Sequence, residues 1–376
     1  MFGKGQLDDL HKQSLPGKKA LIITTAGKSV IKYGYLKRLQ DQLAMLNIRY
    51  IVFDKILPNP IKEHVMEAAD IAKKEACDFV IGLGGGSSID SAKSIAVMAK
   101  NPGDYWDYIH GGTGKGMPVA IDPLPVVAIT TTAGTGTEAD PWTVITNGNE
   151  KIGFGYDKTF PVLSITDPSL MMTVPKTLTA YQGFDALFHS AEGFINKNAN
   201  IMSDMYALKA IELIGRSLAT AVNDGSNEQA REEVALANML AGMVEAISSC
   251  TSEHSLGHAL SAFHTELAHG ATLIMISKEY FSFFANAGAC NDKMVEMAKA
   301  LGNKDASKPM DFVDALYALQ KACGVDDLKM SDYGVAQNDW KKYTENARQT
   351  MGGLYAGDPC ELTDKDAENI YIKSYK

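Results

Sequence analysis

Residues 78–93 read DFVIGLGGGSSIDSAK: an apolar run, three consecutive glycines with two serines, and then a helical pattern carrying Asp90 and Lys93. A short apolar run that ends in glycine reads as a buried strand. The turn beyond it lets backbone N–H groups approach an anion, and the helix N-terminus favours its negative charge. Gly84, Gly85, Gly86 and Ser87 are therefore expected at the pyrophosphate of a dinucleotide. A tight turn with no ligand is the alternative, but consecutive glycines carry an entropic cost that such a turn does not require.

Upstream, apolar β-prone runs alternate with helical ones: KKALIITT (18–25), GYLKRLQDQLAML (34–46), IRYIVFD (48–54) and IKEHVMEAADIAKKEA (61–76). Downstream the pattern continues through SIDSAKSIAVMAK (88–100) and LPVVAITTT (124–132), then fades after DPWTVIT (140–146) and VLSITDPSL (162–170). Such alternation predicts βαβ units on a parallel sheet. Beyond residue 175 long helical stretches dominate, among them 185–195, 200–222 and 227–249. The expectation is an α/β Rossmann-like dinucleotide-binding domain over 1–175 and an all-helical, metal-binding domain over 176–376.

A second glycine turn, AITTTAGTGTEAD (128–140), follows another apolar run and sets Thr131, Thr132 and Thr135 around Gly134 and Gly136. Two such loops at the carboxyl ends of neighbouring strands would make a dinucleotide crevice. The spacing is not G-x-G-x-x-G with an acid about twenty residues on. The first strand ends IITTAGKS (22–29), where Thr25, Gly27, Lys28 and Ser29 offer no carboxylate for a ribose 2′-hydroxyl. That leaves room for a 2′-phosphate, so NADP is expected at least as readily as NAD.

The 376 residues are 45% hydrophobic and 22% charged, enough to bury a large core without staples. A net charge of −9 with scattered Lys and Arg excludes a nucleic-acid surface. No N-terminal apolar segment has signal-peptide length, and no run approaches the roughly 18 residues of a membrane span, so a cytoplasmic protein without membrane partner is expected. Five dispersed cysteines, Cys77, Cys250, Cys290, Cys323 and Cys360, make no Cys-x-x-Cys pair and read as reduced thiols, mostly core filler.

Any metal would then be held by His and carboxylate. Asp185 and His189 stand four apart in an apolar helix, and so do His254 and His258 in SEHSLGHALSAFHTELAHG (252–270), which ends in His269 and Gly270. Pairs at that spacing project from one helix face. An unpaired carboxylate in an apolar helix is costly, and a divalent ion shared with distant histidines would satisfy it. His264 falls off the 254/258 face and reads as solvent-facing or structural.

GGGSSIDSAK, TTAGTGTEAD, DPSLMMTVPKTLTAYQGFDALFHSAEGF and EHSLGHALSAFHTELAHG together resemble the iron-containing (group III) alcohol dehydrogenases, of dehydroquinate synthase-like fold. The resemblance spans nearly the whole chain. It implies metal ligands at Asp185, His189, His254 and His269, with Fe(2+) or Zn(2+) as the ion, and His258 beside the nicotinamide as a catalytic proton relay. It implies cofactor contacts at Thr25, Gly27, Gly84, Gly85, Gly86, Ser87, Asp90, Thr131, Thr132, Thr135 and Lys151, and a substrate pocket lined by Pro141 and Trp142. Three departures are visible: no acid after the first strand, one extra residue between His258 and His269, and an N-terminus, MFGKGQL, without the edge strand that members carry.

The implied reaction is reversible hydride transfer between NAD(P)(H) and a small primary alcohol or aldehyde, assisted by a Lewis-acidic ion, in a homo-oligomer, a dimer by resemblance. A polyol dehydrogenase of the same fold, acting on a propanediol, glycerol or lactaldehyde, is the alternative. A dehydroquinate synthase-like lyase would need a basic pocket for a phosphorylated acid, and Arg is scarce near these motifs. A non-catalytic binding protein would have to keep all four motifs without use.

Overall fold

The computed structural model describes residues 1–376. The chain forms two compact units: Met1–Thr132 with Thr137–Gly148 and Ile152–Thr173, and Val174–Lys376 with Ala133–Gly136 and Asn149–Lys151. In chain order the first part contains β1 (Lys19–Thr25), α1 (Ser29–Lys32), α2 (Tyr35–Met45), β2 (Arg49–Ile56), α3 (Lys62–Lys74), β3 (Phe79–Gly84), α4 (Gly86–Met98), β4 (Val126–Thr130), β5 (Trp142–Asn147), β6 (Glu150–Gly155) and β7 (Leu163–Thr166). Helices follow: α5 (Lys176–Ile195), α6 (Ile201–Asn223), α7 (Glu228–Ser248), α8 (Ser252–Phe263), α9 (His269–Ala287), α10 (Asn291–Ala300), α11 (Met310–Cys323), α12 (Trp340–Met351) and α13 (Asp364–Ser374).

Five strands make a parallel sheet in the order β2-β1-β3-β4-β7, as the alternating pattern predicts. Ile22 of β1 stands opposite Val52 and Ile81, and Gly84 of β3 opposite Thr130 of β4. Strands covered on both faces need continuous apolar runs, and β3 and β4 are buried along their whole length. Leu36, Leu39 and Leu43 put a helical stripe of α2 into the same core as Ile22, Ile81 and Ile129. The sheet order reverses between β1 and β3, so the carboxyl ends at Thr25, Gly84 and Thr130 flank the place where doubly wound sheets take ligands. β5 and β6 pair separately across Gly148, whose φ of +60° the turn requires.

No strand forms before β1, as the sequence suggests; Phe2 makes a single parallel bridge with Thr166, and Met1 O accepts from Thr166 N at 2.9 Å at the β7 edge.

In the helical unit α5 is buried from Gly183 to Ile195, as its unbroken apolar character requires. Gly183 lets α6 close in, since a Cβ there would stand 2.1 Å from Leu218 Cδ1. Asn200 caps α6 in a capping box, and Asn227 caps α7 by accepting from Ala230 N at 2.9 Å. His264 is structural: it ends α8 and ties Tyr333 O and Tyr343 Oη at 3.1 and 2.7 Å. No single helix is long and apolar enough to cross a membrane.

Candidate active site

The glycine turn sits as its sequence suggests, at the carboxyl end of β3. Gly84 has φ +149°, and a Cβ on Gly85 would stand 2.8 Å from Thr132 Oγ1, so this backbone path admits only glycine comfortably. No side chain caps the N-terminus of α4, which leaves its first-turn donors to a ligand. Thr131 N donates to Gly84 O at 2.9 Å and joins the two turns. Thr25 ends β1, and Gly27 beyond it has open space, its nearest neighbour being Thr25 Oγ1 at 3.9 Å.

The polar residues that follow the glycines are also tied into the surrounding fold. Asp90 accepts from Thr137 Oγ1 at 2.7 Å and from Val144 N at 3.0 Å, one bond to each carboxylate oxygen. Lys93, fully buried, donates to Thr137 Oγ1, to Asp140 O and Oδ1, and to Trp142 O at 2.6–3.0 Å. The structure thus places Asp90, read from the sequence as a cofactor contact, in a strut that fixes the segment between β4 and β5. Ser87 Oγ donates to Pro58 O. Trp142 opens β5 with its ring against Gly155, and Pro141 O accepts from Thr159 Oγ1 at 2.6 Å; both belong to the α/β unit.

Thr135 belongs with the helical unit. Its loop is wedged there: Gly136 N donates to Asn238 Oδ1 at 2.8 Å, and Gly136 and Gly242 of α7 touch backbone to backbone. Lys151 also lies in this unit, donating to Ser261 Oγ at 3.2 Å, and its charge bears on His258 and His269.

The histidines of α5, α8 and α9 converge. Asp185 Oδ1 lies 3.6 Å from His254 Nε2 and 3.5 Å from His269 Nε2. Neither separation is a hydrogen bond, and both match the roughly 3.4 Å edge of a tetrahedron with ligand bonds of about 2.1 Å. Asp185 Oδ1 and His254 Nε2 are buried without hydrogen-bond partners. His189 stacks on His254 at 4.3 Å between ring centroids, with Nε2 3.6 Å from Glu245 Oε2. His258 stands 4.7 Å from His269, ring to ring, and 6.3 Å from His254. The grouped donors are Asp185, His254 and His269; His189 groups with His254 and Cys250.

Burial holds His189 near pKa 4, helped by the charge of His254. Burial, then the positive charge of Lys151, pushes His258 and His269 well below the ordinary imidazole range, so these rings are neutral donors. His254 runs the other way: burial opposes its charge, but Cys250, Glu192 and Asp185 hold a proton on it. A site that keeps a proton among buried acids is one where a cation fits, and the orphaned Asp185 oxygen with its converging nitrogens fits a divalent ion.

Glu192 was not singled out in the sequence. It is fully buried on α5, its Oε1 hydrogen-bonded to His254 Nδ1 and its Oε2 accepting from Thr251 N and Oγ1 at 2.8 and 2.9 Å. A carboxylate on the far imidazole nitrogen orients a metal-binding histidine. The signal was available: Glu192 follows His189 by three and Asp185 by seven, on the same helix face.

Residues 1–168 match the family described as iron-containing alcohol dehydrogenase, and residues 179–375 match the Fe-containing alcohol dehydrogenase family, C-terminal. The chain belongs to the iron-containing alcohol dehydrogenase family. It is an oxidoreductase of that class, and membership implies an NAD(H)-type cofactor and a divalent metal. The 1,3-propanediol dehydrogenase of Citrobacter freundii is 33% identical over 368 residues, 96% of this chain and 92% of that protein. Alcohol dehydrogenase 4 of Saccharomyces cerevisiae is 31% identical over 379 residues, covering 100% of this chain and 96% of the relative. An archaeal halo-thermophilic alcohol dehydrogenase from a Red Sea brine pool superposes with a TM-score of 0.93 at 32% identity, over 100% of this chain and 96% of that one.

Proposed function

We propose that the protein catalyses reversible hydride transfer between NAD(P)(H) and a small primary alcohol or aldehyde, using a divalent ion held by Asp185, His189, His254 and His269. The observation that carries the site is the convergence of Asp185 Oδ1 with two imidazole nitrogens at 3.5 and 3.6 Å, Asp185 Oδ1 and His254 Nε2 being buried without hydrogen-bond partners. A bound ion there would supply Lewis acidity toward the substrate oxygen. Glu192 fixes the orientation of His254 through Nδ1. His258, kept neutral by burial and Lys151, takes the alcohol proton in oxidation and returns it in reduction. The turn at Gly84, Gly85, Gly86 and Ser87 binds the pyrophosphate, with Thr131, Thr132, Thr135 and Lys151 completing the cofactor site and Pro141 and Trp142 facing the substrate.

NADPH is used at least as well as NADH, because Thr25 and Gly27 leave space at the end of β1 and Lys28 and Ser29 can donate to a 2′-phosphate. Thr25→Asp should shift kcat/KM toward NADH by repelling that phosphate; wild type preferring NADH tenfold would refute the reading. The ion is Fe(2+), with Zn(2+) the competitor. Five free thiols suit a cytoplasmic enzyme, proposed here as a homodimer. Similarity to a 1,3-propanediol dehydrogenase supports a diol as the second substrate reading. The deciding experiment is turnover of an aldehyde and diol panel with both cofactors after loading with Fe(2+) or Zn(2+). No turnover under any combination would sink the assignment.

A further inference from the structure

Cys250 joins α7 to α8 and is 3% exposed. The preceding Ser249 has φ +68°, a left-handed conformation that a residue with a side chain adopts only at a cost. Asn196 holds the turn, its Nδ2 donating to Cys250 O at 2.9 Å, and Thr251 is fastened to Glu192 on the other side. Gly193 lets α7 approach α5, since a Cβ there would stand 2.2 Å from Val244 Cγ1. The result is a thiol set among imidazoles: one ligand atom each from His189, Cys250 and His254 lies within 4.8 Å of the others. His189 is 95% buried, being 5% exposed, and its Nδ1 has no hydrogen-bond partner.

We propose that His189, Cys250 and His254 form a second cation position, taking a thiophilic divalent ion of the zinc class. One sulfur and two imidazole nitrogens are donors that zinc favours, whereas a carboxylate-bearing set also suits harder ions. The three close by roughly 1 Å on binding, as Zn–S and Zn–N bonds of about 2.3 and 2.1 Å require. The thiol proton is released to solvent as the thiolate coordinates. His254 is common to this triad and to the Asp185–His254–His269 group, so an ion at one position excludes an ion at the other. The inference shares His189 and His254 with the dehydrogenase reading and adds Cys250, which that reading does not use.

The test is titration of the chelator-stripped full-length protein with Co(2+), followed by absorption. Wild type should give visible d–d bands together with a near-ultraviolet sulfur-to-cobalt charge-transfer band. Cys250→Ser and Cys250→Ala should lose the near-ultraviolet band and keep the visible ones, while Asp185→Ala should keep the near-ultraviolet band. Should the cysteine variants misfold, Cd(2+) added to wild type and to Asp185→Ala must still produce a sulfur-to-cadmium band. Visible bands without charge transfer in wild type, or charge transfer surviving in Cys250→Ser, overturn this inference and leave the dehydrogenase reading standing. Failure to take up cobalt at all overturns both.

Discussion

His254 and His258 stand one turn apart on α8, and their surroundings separate their roles. His254 aims Nε2 at Asp185 with Glu192 behind it, whereas His258 has neither carboxylate as a partner and sits under the influence of Lys151. Asp185→Ala and His269→Ala should therefore purify folded and without iron; full iron occupancy by elemental analysis would remove either residue from the ligand set. His258→Ala should retain metal near the wild-type level while kcat falls roughly 100-fold, as for loss of general acid–base catalysis. Metal loss in that variant would exchange its role with His254. The i,i+4 pairs were legible because helical spacing forces them onto one face. The bracing of a loop by Asp90 through Thr137 and Val144 was not legible, because a polar group beside a glycine turn looks the same in sequence whether or not it also holds a distant segment.

Among the elements, α7 positions the second glycine turn. A Cβ on Gly242 would stand 2.1 Å from Gly136 O, and Gly136 itself has φ +64°, so helix and loop meet at backbone contact. Gly242→Ala must push the loop away. We expect a loss of about 1–3 kcal/mol, as for overpacking elsewhere, in denaturant unfolding, and a larger rise in the KM for NAD(P)H than fall in kcat. Unchanged stability would mean that the loop yields freely and does not depend on α7. The sequence could not supply this contact. A glycine inside a helix advertises a cost of about 1 kcal/mol relative to Ala, but nothing in its neighbours names a partner 106 positions away. The parallel strands were readable because continuous apolar runs between glycine or proline leave few alternatives. β6, whose buried Ile152 and Phe154 alternate with Gly153 and Gly155, was missed because the run is short, glycine-interrupted and follows its partner across only Gly148 and Asn149.

At the scale of the molecule, the chain is net acidic but buries charged groups in both units, those of the α/β unit lying around Lys93. Lys93 and Asp140 form an ion pair at 3.0 Å with almost no exposure, and Glu138 lies nearby, fully buried, accepting weakly from Thr166 Oγ1 at 3.4 Å. Burial pushes the Glu138 carboxyl up from the ordinary 4.5 to about 7, the charge of Asp140 adding to the rise and that of Lys93 opposing it. Because its pKa is higher in the folded chain than in the unfolded one, its contribution to stability is full below about pH 4.5 and is lost as pH rises through about 7. Glutamine cannot ionise, so Glu138→Gln keeps the neutral form at every pH. The melting temperature of the variant minus that of wild type should be nearly constant below pH 5 and should climb between pH 5 and 8, whatever constant offset the amide introduces. A flat difference across that range would show that the carboxyl ionises in the fold at no cost, and the buried network around Lys93 would then have to reach Glu138 with positive charge that outweighs its loss of water.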